Sequence, residues 1–412
     1  MKLLIFSFEF PPVIYGGLGT YALETTRKYV EFGHDVCVVA PNIGGDLPEK
    51  ANWNGVEVRR PRSPEWGPAL ALFVDREFRA WGDWLSYLGD VLSYNLLGAS
   101  GMAVGGQEFD VVIGHDWLGV VGAVLAGRAL GAPIVFHLHS TEGGRQGGGG
   151  SEGIKFMESQ GIREADLAIT VSHTMREEIK RMGVPEDRVE VVWNGVDEAK
   201  YDPGRFSAEE TGRLRDRYDV EDDEKMVLFI GRLTKVKGVV PLARAVPHVL
   251  AQHPNVKFVF LGKGELEQEV REVLRYEGVE GRVALRTEFV PEEERILHYA
   301  ACDLAVFPSL YEPFGIVSLE AMAMEKPVVV GARGTSGFRE QVINSGEKMC
   351  GAHVNPNDPA DIAWGINLLL DGDLEAMGRN ARQRVLEEFT WDIIASRTLN
   401  IYESVIRRKR GA

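Results

Sequence analysis

Only three cysteines occur in 412 residues, Cys37, Cys302 and Cys350, and they lie far apart. Three cannot all pair and none sits at a metal-ligand spacing from another. A disulfide framework and a cysteine-built metal site are both excluded, leaving reduced thiols in a cytoplasmic protein as the expectation. Long apolar runs are missing too: nothing approaches the roughly 18 consecutive residues of a membrane span, so no integral membrane contact is expected. The opening MKLLIFSFEFPP is interrupted by Glu9 and stopped by Pro11-Pro12, and no small-residue cleavage site follows. It reads as a first strand, not a secretory leader. Basic charge is in deficit, with 46 Lys and Arg against 61 Asp and Glu and a formal net charge of -15. That argues against a general nucleic-acid binder, which needs a basic stripe. The cluster Arg407 to Arg410 reads as a solvated helix end. No acidic pair has the setting of a metal bridge; Asp371 and Asp373 have suitable side chains, but no apolar strand leads into them.

What is present is a repeated alternation of short apolar strands and helices. The length favours two domains of roughly 200 residues. LLIFSF is a continuous apolar run, as expected of a parallel strand buried on both faces. A helix from about Gly19 to Phe32 follows, then the strands DVCVVAP, DVVIGH, APIVFHLH, ADLAITVS and VEVVWNG. The rhythm restarts with KMVLFIG, VKFVFLG, RVALRT, DLAVFPS and KPVVVGA, helices between them. This predicts two doubly wound α/β domains, residues 1–195 and 196–392, joined in the polar stretch from Asn194 to Arg205. A closing helix at about 393–412 is expected to return to the first domain.

Two segments stand apart. Gly143-Gly144-Arg145-Gln146 and the four glycines after it predict a mobile loop, neither helix nor strand, placed like a lid after a strand end. Residues 65–97 are rich in aromatics, with Trp81, Trp84 and Leu88, and again Phe78 and Leu85, at helical spacing. They could pack a helix onto the first domain, or form an exposed aromatic platform for a sugar chain or a lipid.

Three features handle phosphate. Gly231-Arg232-Leu233 ends the strand KMVLFI, and Lys237-Gly238 follows shortly. Arg232 offers a bidentate fork and Lys237 a point charge at a strand's C-terminal edge. Glu312-Pro313-Phe314-Gly315-Ile316 opens a helix after DLAVFPS, so the amides near Gly315 and Ile316 face an anion. Glu320, about two turns beyond Glu312, could accept both hydroxyls of a ribose, while Glu312 faces a sugar or a developing positive charge. Last, the loop through Gly16, Gly17 and Gly19 lets backbone approach a ligand closely. Fixed cations and amides of this kind stabilise a departing diphosphate without a metal.

The GGLG loop, His115-Asp116-Trp117-Leu118, the strand end at His139, the Gly231-Arg232-Leu233 and Lys237-Gly238 pair, and EPFGIVSLE together resemble glycosyltransferase family 4, with motifs in family order over nearly the whole chain. The resemblance implies the GT-B fold, two Rossmann-like domains facing each other across a cleft, and retaining transfer of a hexose from a nucleotide-diphosphate sugar. It implies that Arg232 and Lys237 neutralise the diphosphate, Glu320 binds ribose, Glu312 sits near the donor sugar, Gly315 and Ile316 hold sugar or phosphate, and Gly16 and Gly17 approach the diphosphate. It places the family histidine, beside the anomeric carbon, at His139 in LHSTE rather than at His137. His115, Asp116, Thr141, Glu142 and Arg145 fall to the acceptor side or the lid.

Within the family, FEFPP, HDWL, HSTEGGR and IKFME are similar to archaeal and bacterial glycogen synthase-like enzymes. Glucose and a carbohydrate acceptor are then the expected substrates, with no metal or other cofactor. Two positions depart from the pattern: Tyr15 stands where bacterial glycogen synthases carry Lys, and Glu288 where the family often has Gly. A trehalose- or sucrose-type disaccharide synthase and a lipid-directed hexosyltransferase are the alternatives. A dehydrogenase reading of Gly17-x-Gly19-x-x-Ala22 fails because Pro11 to Tyr15 lengthen the turn and DVCVVAPN ends without the acidic ribose ligand.

Overall fold

The computed structural model describes residues 1–62 and 83–411. The chain divides into two compact units. Unit 1 takes the chain up to Val171, then Arg176–Val192 and the segment from Trp391; unit 2 takes Ser172–Met175 and Trp193–Thr390.

Unit 1 holds an eight-stranded sheet: β1 (Lys2–Phe6), β2 (Asp35–Val39), β3 (Lys50–Trp53), β4 (Val56–Arg59), β5 (Val111–His115), β6 (Ile134–Leu138), β7 (Leu167–Thr170) and β8 (Val189–Val191). Their spatial order is β3-β4-β2-β1-β5-β6-β7-β8. All neighbours are parallel except β3 with β4. The β3-β4 hairpin was not expected from the sequence. It turns at Asn54 and Gly55, both at positive φ (50° and 90°), the Asn-Gly chemistry of a tight hairpin turn. The side chains of β5 and β6 are buried throughout, as their unbroken apolar runs require.

The Asp116–Leu130 helix lies very close to β1. A Cβ on Gly119 would stand 2.3 Å from the Phe6 carbonyl oxygen, and one on Gly122 2.4 Å from the Phe6 ring. Only glycine permits that approach. The helix expected at Gly19 begins at Gly17 and ends at Glu31. The Trp391–Gly411 helix belongs to unit 1, where Lys28 Nζ stands 2.7 Å from Asp392 and Lys409 Nζ 2.9 Å from Asp166. Arg410 pairs with Asp110 at 2.6 Å, so two members of the terminal basic cluster are neutralised within the unit.

Unit 2 holds six strands, all parallel to their neighbours: β9 (Lys225–Ile230), β10 (Val256–Leu261), β11 (Val283–Arg286), β12 (Leu304–Phe307), β13 (Val328–Gly331) and β14 (Gly351–Val354), in the order β11-β10-β9-β12-β13-β14. β14 was also unforeseen; its residues, Gly351-Ala352-His353-Val354, do not form an unbroken apolar run. No helix among the described residues is long and apolar enough to cross a membrane.

The strand orders decide where chemistry can sit. In unit 1 the chain leaves β1 toward β2 and returns on the other side at β5; in unit 2 it leaves β9 toward β10 and returns at β12. A parallel sheet opens a crevice at such a reversal, outside the carboxyl ends of the two strands. The loops there are residues 7–16 and His115-Asp116 in unit 1, and 231–238 and 308–315 in unit 2.

Two expectations need correction. Residues Glu142–Arg145, within the stretch expected to be neither helix nor strand, form one helical turn, because the Thr141 side chain accepts the Gly144 N–H and caps it. The aromatic segment contributes the Asp83–Val104 helix, but Trp84, Leu85 and Leu88 are not among its buried residues; Val91, Tyr94 and Asn95 are. Phe78 and Trp81 lie outside the described residues.

Candidate active site

In unit 2 the loop after β9 is built by close backbone contacts. A Cβ on Gly262 would lie 1.8 Å from the Gly231 carbonyl oxygen, and one on Gly264 2.3 Å from that of Leu233. Leu233 is fully buried and anchors the turn. Arg232 beside it is exposed and makes no ion pair among the described residues, so its fork is free for an anion. Leu310 N–H donates to the Val236 carbonyl at 2.8 Å, joining this loop to the one after β12.

That junction places Lys237 Nζ 2.5 Å from Glu312 Oε2, which also accepts from Ser309 Oγ at 3.2 Å. Glu312 is buried, and its backbone bonds Thr335 and Gly337. Glu312 thus holds the ammonium in place by accepting one of its three N–H groups, leaving two donors. Gly315, at φ 91°, is the N-cap of the Ile316–Ala323 helix; a Cβ there would meet Phe338 at 2.2 Å and Glu312 at 2.9 Å. No side chain caps this helix and no acid occupies its first turn, so its amide dipoles stay available to an anion.

Glu320, on the same helix, accepts from Tyr201 at 2.9 Å and Tyr299 at 2.8 Å, one hydroxyl to each oxygen. Burial, reinforced by the Glu320 charge, pushes both phenols up, so they remain donors. Each carboxylate oxygen keeps a further lone pair for a ligand hydroxyl. Glu312 and Glu320 share no hydrogen-bond partner among the described residues.

In unit 1, Glu9 organises the glycine loop. Its Oε2 accepts from the amides of Tyr15 (2.9 Å), Gly16 (3.0 Å) and Gly19 (3.2 Å), though not Gly17. The ends of β5 and β6 bring three histidines together. His115 Nδ1 and His139 Nε2 share a hydrogen bond at 2.9 Å with rings stacked at 19°, and Asp116 accepts the His139 N–H at 2.7 Å. Asp116 adopts φ 51° to do so. His137 is bonded on both nitrogens by tyrosines, to Tyr402 at 2.8 Å and Tyr21 at 3.4 Å, and serves the packing of the unit. Burial, first, pushes all three imidazoles down; for His115 and His137 the neighbouring imidazoles add to it. They are neutral at pH 7.

The nitrogens of this trio lie within 4.8 Å of one another, near enough to hold a metal ion. An ion there would take one nitrogen from each ring, so it would have to displace one of the two tyrosine bonds of His137. Thr141 bonds Glu178, while Glu142 Oε1 accepts the Ser151 N–H at 3.0 Å and ties the glycine run back on itself. Arg145 meets Ser140 at 2.5 Å, Glu142 at 3.4 Å and Glu158 at 3.5 Å.

Residues 16–195 match the model of the glycosyl transferase 4-like domain, and residues 211–384 that of glycosyl transferases group 1. An uncharacterized glycosyltransferase of Methanocaldococcus jannaschii is 36% identical over 410 residues, covering 98% of each chain. This chain belongs to the glycosyltransferases of the family 4 type. A glycogen synthase of Mycobacterium tuberculosis is 30% identical over all of this chain and 96% of its own. In fold, the glycosyltransferase is similar to a sucrose-phosphate synthase of Thermosynechococcus elongatus, with a TM-score of 0.78 at 21% identity over 99% of each chain. The architecture is GT-B, and the enzyme is a hexosyltransferase.

Sequence reasoning missed Glu9, Tyr201, Tyr299 and Glu158 of this glycosyltransferase. Glu9 left one signal, a charge just after the apolar first strand. The tyrosines left none, since Tyr201 and Tyr299 reach Glu320 across 119 and 21 residues. Glu158 is 1% exposed; its Oε1 accepts the Glu142 N–H at 2.8 Å, and Oε2 has no partner among the described residues.

Burial pushes the Glu158 carboxyl from 4.5 up to about 7. The folded enzyme therefore binds that proton more tightly than the unfolded chain does. The resulting stabilisation is complete below about pH 4.5 and is lost as pH rises through about 7. The shift corresponds to stabilisation on the order of 3 kcal/mol. Glu158→Gln is expected to flatten the fall in the urea-unfolding midpoint between pH 5 and pH 8. An unchanged slope would remove Glu158 as its source.

Proposed function

We propose that the enzyme transfers glucose, with retention, from a nucleotide-diphosphate glucose to the end of an α-1,4-glucan, as a glycogen synthase does. One observation carries the reading: at the strand-order reversal of unit 2, an unpaired guanidinium (Arg232), an ammonium with two spare donors (Lys237) and uncapped helix amides (Gly315, Ile316) stand on loops joined by backbone bonds. That set suits a diphosphate leaving group. The relative named glycogen synthase, matched over the whole chain, supports the glucan acceptor.

In this reading the bond from the anomeric carbon to the diphosphate oxygen breaks as Arg232, Lys237 and the helix amides take up the charge. The leaving oxygen accepts the proton of the acceptor hydroxyl on the same face, which retains configuration. Glu320 receives the ribose hydroxyls. Glu312 fixes Lys237 beside the sugar, and neutral His139, its ring bonded by His115 and its backbone N–H held by Asp116, hydrogen-bonds the transferred hexose. Gly16 and Gly17 meet the diphosphate. Thr141, Glu142 and Arg145 serve the acceptor. No metal is required, since fixed cations and amides supply the positive charge, and the setting is cytoplasmic.

The test pairs ADP-, UDP- and GDP-glucose with glycogen, maltooligosaccharide, glucose and sugar phosphates, with and without EDTA, and reads the product linkage by NMR. An α-1,4 product formed equally well in EDTA is expected. Transfer to sugar phosphates alone would favour a disaccharide synthase, a β-linked product would overturn retention, and loss in EDTA would overturn metal independence.

A further inference from the structure

Unit 1 carries a cavity of about 550 Å³ whose aromatic wall has no part in the proposed transfer chemistry. This is within the size of small-molecule sites, roughly 300–1,000 Å³. Trp84, Tyr87 and Trp117 line it, with Glu142, Arg145 and Ser151 among its polar members. The three rings form one cluster: Trp84 to Tyr87 at 5.6 Å, Trp84 to Trp117 at 6.0 Å and Tyr87 to Trp117 at 6.1 Å. Trp117 is 4% exposed whereas Trp84 is 36% exposed, so a buried indole backs an open one.

The wall is fixed from behind. The carbonyl of Leu118 accepts from Tyr94 at 2.5 Å and Asn95 at 2.8 Å, and Tyr87 packs edge-on against Phe8. Trp117 directly follows Asp116, the residue that receives the His139 N–H. The cavity therefore adjoins, along the chain, the histidine pair at the ends of β5 and β6.

Such a wall suits a particular ligand. A pyranose ring has an apolar C–H face that stacks on aromatic surface and an edge of hydroxyls that seeks polar groups. Glu142 and Arg145 supply an acceptor and a donor for that edge. They also offset each other in charge, and Arg145 is already shared between Glu142 and Glu158. Among the described residues lining the cavity, no free cation is thereby left for a phosphate or an acid. The chemistry selects a neutral sugar chain over a phosphorylated one.

We propose that Trp84, Tyr87 and Trp117 form an acceptor subsite that stacks a glucosyl ring of a neutral glucan, with Glu142 and Arg145 hydrogen-bonding its hydroxyls. Its role in turnover rests on the glucan-synthesis reading, but glycan binding does not. The full-length enzyme is titrated, without donor, with maltoheptaose and separately with glucose 6-phosphate, following tryptophan fluorescence and glycogen-affinity electrophoresis. Maltoheptaose is expected to bind and glucose 6-phosphate to fail to compete.

Trp84→Ala, which removes the open indole, is expected to weaken maltoheptaose binding at least tenfold. In turnover it should raise the maltoheptaose KM similarly while moving the donor KM less than twofold, and Trp84→Phe should restore most of the binding. Tyr87→Ala is the second variant, in case Trp84→Ala proves insoluble. Failure of the wild type to bind maltoheptaose, stronger binding of the sugar phosphate, or a change below twofold in a folded variant would overturn the subsite. Glucan binding that survives when no donor supports transfer would instead overturn the synthase reading and leave the subsite standing.

Discussion

Arg232→Ala and Lys237→Ala are each expected to lower kcat by about 100-fold or more, and the two will differ in stability. The activity loss follows from their task. Each cation faces charge that develops on the leaving diphosphate, and a donor acting only there contributes about 3 kcal/mol or more to the barrier. Arg232 is exposed and unpaired among the described residues, so its removal should shift unfolding by no more than about 0.5 kcal/mol. Lys237 differs, because its loss strands the buried carboxylate of Glu312 with only Ser309 as a side-chain partner among the described residues. Breaking such a pair destabilises by about 3 kcal/mol. The double variant Lys237→Ala/Glu312→Gln should regain much of that stability and none of the activity. Nucleotide release measured alongside calorimetry separates these effects. Wild-type turnover in both single variants would remove the phosphate assignment.

Gly238→Ala should be among the most damaging single methyls in unit 2. Gly238 sits at φ 67°, and a Cβ there would stand 1.9 Å from the Pro308 carbonyl oxygen. The obstacle is backbone, not the end of a flexible side chain, so either the loop after β9 or the one after β12 must move. Movement breaks the Val236–Leu310 bond and parts Lys237 from Glu312. A loss on the order of 3 kcal/mol or more is expected, together with the loss of transfer activity. Gly212→Ala is the matched control. It lies within the Ala208–Arg217 helix with nothing within 4 Å of its added carbon, and should stabilise by about 0.5–1 kcal/mol. Urea midpoints compare the pair, and a Gly238→Ala enzyme of wild-type stability and activity would show that the two loops do not depend on their close approach.

The parts of this molecule governed by short-range rules were legible before any coordinates. An apolar run of four to six residues buried on both faces makes a parallel strand, and Arg232, Lys237 and Gly315 follow such runs directly. Their place at carboxyl ends needed only the direction of the chain. Asn54-Gly55 was equally local; the hairpin it forms was overlooked although its turn chemistry was in plain view. Strand order was not legible, because periodicities of two and 3.6 say which face is apolar but not which strand lies beside which. The order β10-β9-β12 in unit 2 is what lets Val236 bond Leu310 and Lys237 reach Glu312 across 75 residues. The family resemblance told His139 from His137, but only folding shows the physical difference between these letters two positions apart. Tyr21 and Tyr402, 116 and 265 residues from His137, engage one imidazole for packing, while His115 bonds the other imidazole and Asp116 holds the backbone N–H of His139. Those partners meet only when the sheet and the closing helix are assembled, since hydrogen bonding between distant residues depends on spatial neighbours that no local pattern encodes.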